Sequence, residues 1–265
     1  MGEFHINNQW VSLSELEEII QKQIHVVLGP EANKQIEKGY NFLQSKIQDE
    51  TERFYGINTG FGFLSDKAIS RPDLNQLQVN LIRSHACGFG AKVPASLVKR
   101  MLLLKVIALS KGYSGVQKAT IERLLFFYNE NILPVVYEQG SLGASGDLAP
   151  LAHLCLPILG EGEVEIDGEI FSAELLNERY GLEPITLQAK EGLALLNGTQ
   201  FMNAFATYTV SKGKKLFLEG LNIATLSLEA FDGRQEPFQK TVNELRKQYG
   251  QIFVAEKIRG RTQKV

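Results

Sequence analysis

The sequence predicts a mainly α-helical fold with one small β element. Apolar residues recur three and four apart along most of the 265-residue chain. One stretch behaves differently: GEVEIDGEIF, residues 162–171, alternates Val164 and Ile166 and then turns at Asp167-Gly168, a favoured pair for a tight hairpin.

In order, Ser12-Leu13-Ser14-Glu15 matches a capping box, followed by the apolar face of Leu16, Ile19 and Ile20. Pro30 starts a second helix, on which Ile36, Tyr40, Leu43 and Ile47 share a face. After Pro72, Leu74, Leu77 and Leu81 repeat the pattern. Residues 94–111 are apolar on most of the circumference, which predicts a buried helix interrupted by Lys105. Another helix is expected from Gln117 to Asn131, ending before Pro134. From Glu191 to about Ala230 the chain reads as one long helix, with Gly198, Gly213 and Gly220 allowing close packing. From Gln235 onward it turns polar and ends in KIRGRTQKV, which reads as a solvated end.

Composition narrows the function. Hydrophobic residues at 44% and charged residues at 22% are ordinary for a soluble globular protein. A net charge of -2 gives no reason to expect a nucleic-acid groove or an anionic membrane surface as partner. No apolar run is long enough to span a bilayer, and the opening MGEFHINNQW lacks the pattern of a secretory signal. Cys87 and Cys155 both stand in apolar sequence, so buried thiols in a reducing, cytoplasmic setting are expected.

Two glycine-rich loops break the helical pattern: YGINTGFGFL, residues 55–64, and GSLGASGDLAPLAHL, residues 140–154. The second resembles a nucleophile elbow but has Asp147 where the last glycine belongs, and no G-K-[ST] follows to make a phosphate loop. GFGFLSD lacks the third glycine of a dinucleotide fingerprint. His5, His25, His85 and His153 show no metal-ligand spacing, so no metal is expected. A hydrolytic pair of Ser145 and His153 would have to converge from one helix start.

The backbone itself remains as the reactive element. Gly146 can bring its amide nitrogen to a carbonyl two residues back without a side-chain clash, and Ala144 keeps the acceptor side small. Ser145 can lose its hydroxyl as water to leave a methylene. Cyclisation and dehydration together give an electrophilic five-membered ring made of chain atoms. The segment Asp147-Leu148-Ala149-Pro150 would aim a helix N-terminus at it.

These segments resemble the aromatic amino acid ammonia-lyases. YGINTGFG, NLIRSHACG, GSLGASGDLAPLAHL and AKEGLALLNGTQ stand in the family's order, and the likeness runs from about residue 8 to about residue 258. The resemblance implies that Ala144, Ser145 and Gly146 condense autocatalytically into a methylidene-imidazolone, with no metal or diffusible cofactor. It implies Tyr55 as the base for the substrate β-proton, although a phenol with a reference pKa near ~10 needs an environment favouring its phenolate. Asn197 would orient ring and substrate. His85, preceded by Ser84, would read the substrate side chain and favours L-histidine, eliminated to urocanate, because one imidazole can hydrogen-bond another. A lyase or aminomutase for another aromatic amino acid, or a silent lyase-like assembly partner, are the alternatives.

The same likeness implies a fumarase/aspartase-like architecture, with a prosthetic-group domain over residues 1–190 and the start of a central long-helix bundle over 191–265. It implies a homo-oligomer, a tetramer in the family. The family's second half, with its carboxylate-binding arginine and second tyrosine, has no counterpart in this sequence. The expectation is an N-terminal half with an incomplete active site.

Overall fold

A computed structural model describes residues 2–48, 52–59, 69–70 and 73–262. Gly60 and Gly62 of the first glycine loop, Pro72 and the last three residues lie outside that range. The chain forms two compact units, Met1–Thr207 and Tyr208–Val265. The division falls inside the helix Gln200–Ala230.

In the first unit, strand β1 (Glu3–Ile6) pairs in parallel with β2 (His25–Leu28), and helix α1 (Leu13–Gln21) crosses between them. The capping box forms: Ser12 Oγ accepts from Glu15 N at 3.2 Å and Glu15 Oε2 from Ser12 N at 2.8 Å. Helix α2 (Pro30–Lys46) begins at its proline and buries Ala32, Ile36 and Leu43. Helix α3 (Leu74–His85) follows, then strand β3 (Phe89–Lys92). Helix α4 (Ala95–Leu109) is the buried helix its composition demands. Helix α5 (Lys118–Asn129) packs on it.

Strand β4 (Leu133–Pro134) joins the predicted hairpin of β6 (Glu163–Ile166) and β7 (Glu169–Ser172), while β5 (Tyr137–Gln139) pairs with β3. At the hairpin turn Asp167 and Gly168 take φ of 52° and 85°, the left-handed pair this tight turn requires. Helix α6 (Leu148–Cys155) runs into a 3-10 turn at Leu156–Leu159, and α7 (Ala173–Tyr180) follows the hairpin.

The stretch from 191 is two helices rather than one: α8 (Glu191–Leu196) and α9 (Gln200–Ala230). Asn197 ends α8 with ψ 98°, and the Gly198 carbonyl accepts from Asp147 N at 2.8 Å. A tertiary hydrogen bond has drawn that carbonyl out of the helical ladder. Gly213 and Gly220 are not close-packing points among the described residues, since a Cβ at either would meet nothing within 4 Å.

The second unit holds the rest of α9, a 3-10 turn at Glu236–Phe238, α10 (Lys240–Glu244) and α11 (Tyr249–Thr262). The tail is therefore not simply a solvated end. Ala255, Ile258 and Thr262 make a buried stripe at helical spacing, and Arg261 Nε donates to Asn222 Oδ1 at 2.7 Å, fastening α11 to α9. The cysteines also differ from expectation: Cys155 is buried, but Cys87 is exposed, and both are free thiols.

Candidate active site

Three helices of the first unit carry the candidate residues at neighbouring ends. The α3 and α8 helices run side by side in the same direction. Leu74 and Ala189 share one hydrophobic cluster at their starts, and further along Gln78 Oε1 accepts from Gly192 N at 2.9 Å. The fit there is close, because a Cβ on Gly192 would lie 2.7 Å from Gln78 O. His85 ends α3, Asn197 ends α8, and the tripeptide Ala144-Ser145-Gly146 stands just ahead of α6.

Asp147 ties these ends together. It is 1% exposed; its backbone N–H donates to Gly198 O, and its carboxylate accepts from Met202 N at 2.9 Å and Ser141 Oγ at 3.4 Å. Gly146 adopts φ 99°, and a Cβ there would lie 2.6 Å from Gly198 O. Backbone conformation and neighbour both demand glycine. Ala144 and Ser145 themselves are exposed.

The His85 side joins through the connection after α3. A Cβ on Gly140 would lie 3.0 Å from Gly88 Cα, and Gly88 N donates to His153 Nε2 at 3.0 Å. His153 is thus a structural post whose basic nitrogen is occupied, and burial lowers its pKa. That removes the Ser145–His153 pair. His85 Nδ1 lies 2.8 Å from Leu81 O and 3.1 Å from Ser84 Oγ. A carbonyl only accepts, so in the neutral ring Nδ1 carries the proton and Nε2 is left as an acceptor.

Tyr55 is placed elsewhere. It sits 59% exposed on a turn in which Gly56 takes φ 69° and Phe54 N donates to Asn58 Oδ1 at 2.7 Å. Two residues on, Ile57 packs against Leu43, Ile47, Leu74 and Ala189, the cluster at the starts of α3 and α8. With 12 residues in α3, the two ends stand about 18 Å apart. The fold brings the tripeptide, Asn197 and the His85 segment together, and leaves Tyr55 at the opposite ends of the helices.

Along α8 lie buried ionisable groups that no sequence motif marked. Lys105 of α4 is 1% exposed, and its Nζ donates to Ala194 O of α8 at 3.1 Å. Burial lowers its pKa to about 8, against the opposing pull of Cys155 and Asp147. Burial pushes the Cys155 thiol up to about 12. Glu191, fully buried at the start of α8, accepts from Gln117 N, Gln117 Nε2, Thr120 Oγ1 and Gln188 N at 2.7–2.9 Å. Burial raises its pKa while those four donors pull the other way. The available signal was Lys105 as a lone cation in Leu-Leu-Leu-Lys-Val-Ile, residues 102–107. Asp147 had none beyond following the tripeptide. Among the described residues no group of three or more His, Cys, Asp or Glu side chains could hold a metal, and no helix is long and apolar enough to cross a membrane.

The fold and this arrangement of helix ends define the class. The profile of the family described as aromatic amino acid lyase matches residues 11–264, and the chain belongs to that family. A histidine ammonia-lyase of Legionella pneumophila (strain Paris) is 42% identical over 245 residues, covering 92% of this chain and 48% of the relative. Among solved structures, tyrosine aminomutase from Streptomyces globisporus has a TM-score of 0.92 at 27% identity, covering 99% of this chain and 49% of that one. Histidine ammonia-lyase from Trypanosoma cruzi has a TM-score of 0.88 at 32% identity, covering 97% and 50%. The chain spans about half the length of the curated relatives it matches.

Proposed function

We propose that this chain carries the prosthetic-group half of an ammonia-lyase site, for elimination of ammonia from L-histidine to give urocanate. One observation carries the reading: the close approach of Gly146 to Gly198, which sets the tripeptide beside the turn that bears Asn197. The residues fit a methylidene-imidazolone built from Ala144, Ser145 and Gly146. Gly146 has the left-handed φ and lacks the Cβ that would obstruct closure, and the Ser145 side chain is exposed. When formed, the group supplies an electrophile for the substrate's amino group.

The chain's own residues bind and position. His85 Nε2 accepts from, or once protonated donates to, the substrate imidazole. Asn197, fixed at the end of α8, orients the amino acid. The start of α6 follows the tripeptide directly, and the partial positive charge of a helix N-terminus favours negative charge there. Tyr55 removes the β-proton. Its place at the far ends of α3 and α8 supports a site shared between copies, with Tyr55 of one subunit serving the tripeptide of another in a homotetramer. An exposed, unpaired Cys87 supports a reducing cytoplasm.

The test is intact mass together with urocanate formation, the chain assayed alone and with the second half of the Legionella relative. The wild-type chain is expected to be lighter by two waters and Ser145→Ala to keep its full mass without turnover. Turnover undiminished in Ser145→Ala would end the enzyme reading. A mixture of Tyr55→Phe and Ser145→Ala chains is expected to recover activity that neither shows alone, as a shared site requires. The aminomutase likeness supports a second reading, a different aromatic substrate. His85→Leu separates the two: it is expected to lower histidine turnover about a hundredfold, and unchanged turnover would favour the other substrate.

A further inference from the structure

We propose that the cleft between α2 and the turn joining α4 to α5 binds a small carboxylate with an apolar, ring-sized body. The cavity measures about 440 Å³, in the range of small-molecule sites. None of Ala144, Ser145, Gly146, His85 or Asn197 lines it.

Among the described residues the lining is one-sided in charge. It includes Lys38, Lys46, Lys111 and Lys190 and, among those residues, no acidic one, in a chain whose net charge is -2. Phe42 stands one helical turn from each of Lys38 and Lys46 on α2, so apolar surface lies between two cations, and Phe54 adds a second ring. This pairing suits a ligand with an apolar body and an anionic end. An inorganic anion would leave the rings unused, and a neutral apolar molecule would leave the cations unused.

The floor is built by close backbone approach. A Cβ on Gly39 would lie 1.8 Å from Gly112 O, and one on Gly112 would lie 2.2 Å from Gln35 O. Two of the cations are held in place: Lys111 Nζ donates to Gln9 O at 2.8 Å and Asn8 O at 3.1 Å, and Lys190 Nζ to Ser114 O at 2.7 Å. An ammonium has three donors, so each retains capacity for a ligand oxygen. Lys190 sits at φ 72°, a backbone conformation L side chains rarely adopt. Its partial burial lowers its pKa.

The test is calorimetric titration of the full chain with 4-phenylbutyrate, its neutral amide and acetate, which needs no turnover and so is independent of the lyase reading. Saturable binding of the carboxylate is expected, with the amide and acetate each about tenfold weaker or worse. Added salt should weaken binding. Replacing Lys38 and Lys46 together by Gln should cost a similar factor. Lys34→Gln, on the same helix but outside the lining, should bind as the wild type does. The proposal is overturned by equal affinity for carboxylate and amide, by acetate binding as well as phenylbutyrate, by a Lys38/Lys46 double variant like the wild type, by an equal loss in Lys34→Gln, or by no saturable binding.

Discussion

Helices α4 and α9 both carry apolar side chains, densely in α4 and more sparsely in α9, yet they live in different surroundings. Nine of the fifteen residues of α4 are buried, Lys105 among them. On α9, Met202, Val210, Leu216, Phe217, Ile223 and Leu226 are exposed, while Ala204, Leu221 and Thr225 are buried. An apolar helix surface states that a partner is wanted; only packing shows whether this chain supplies it. For α4 it does. For α9, much of the surface has no partner among the described residues, which agrees with a family whose curated relatives are twice as long.

The largest effect should come from truncation on the two helices. Leu102→Ala in α4 removes a fully buried side chain and should cost about 2–5 kcal/mol in denaturant unfolding. Phe217 is 50% exposed, and Phe217→Ala should cost under about 1 kcal/mol. Equal losses would show that the exposed face of α9 is packed in solution, by self-association or otherwise, and a concentration series would separate those cases.

Next is the anchor at the start of α8. Glu191 presents two oxygens to four donors. Glu191→Gln replaces one oxygen with an NH2 group facing donors, which should cost about 1–3 kcal/mol. A cost near zero would mean that the four hydrogen bonds reorganise freely, and α8 would then be less rigidly held than its burial implies.

Lys105 gives an effect of similar origin but visible only against pH. Its folded pKa is about 8, below the ordinary 10.5. Between those values the unfolded chain binds a proton that the folded chain does not, so stability rises with pH; below about 8 the cost of burying the charge applies in full. Cys155 opposes it, because a thiol raised from 9.0 to about 12 holds its proton in the folded state and makes stability fall through that window. Tyr128, raised from 10.0 to about 12 by burial, acts in the same sense as Cys155. The net expectation is a rise of about 1 kcal/mol between pH 8 and 9, a plateau to about pH 10 where Lys105 and Cys155 cancel, and a fall above it as Tyr128 joins Cys155. In Lys105→Met the rise should vanish, and its persistence would assign it to another group.

The contrast also marks what was legible in the sequence. Helix starts at Ser12 and Pro30 and the Asp167-Gly168 turn were legible because their chemistry is local. The parallel pairing of β1 with β2 was not, since its strands meet only after α1 folds back between them. The break at Asn197-Gly198 was hidden because both residues can sit in a helix, and what pulls them out is a hydrogen bond from Asp147, fifty residues earlier. For the candidate site, residue size marked the tripeptide and the family likeness marked Tyr55, His85 and Asn197. Which of them meet within one chain depended on the parallel course of α3 and α8, and no local pattern encodes that. The buried Lys105 was visible only as an interruption of an apolar run.

The smallest expected effect tests the α9 surface most finely. Gly213 and Gly220 lie inside a 31-residue helix, where glycine is about 1 kcal/mol less favourable than alanine. A Cβ at either position meets nothing within 4 Å. If that space is open in solution, Gly213→Ala and Gly220→Ala should each stabilise the chain by about 0.5–1 kcal/mol, chiefly by restricting the unfolded state. If another helix approaches closely at these points, the added methyl groups must displace it, and the substitutions become destabilising only in its presence. Measuring both variants alone and with the second half of the Legionella relative reads these cases directly. A gain in isolation that reverses on mixing would identify the glycines as contact points kept for a partner helix, whereas a gain under both conditions would leave them without a packing role.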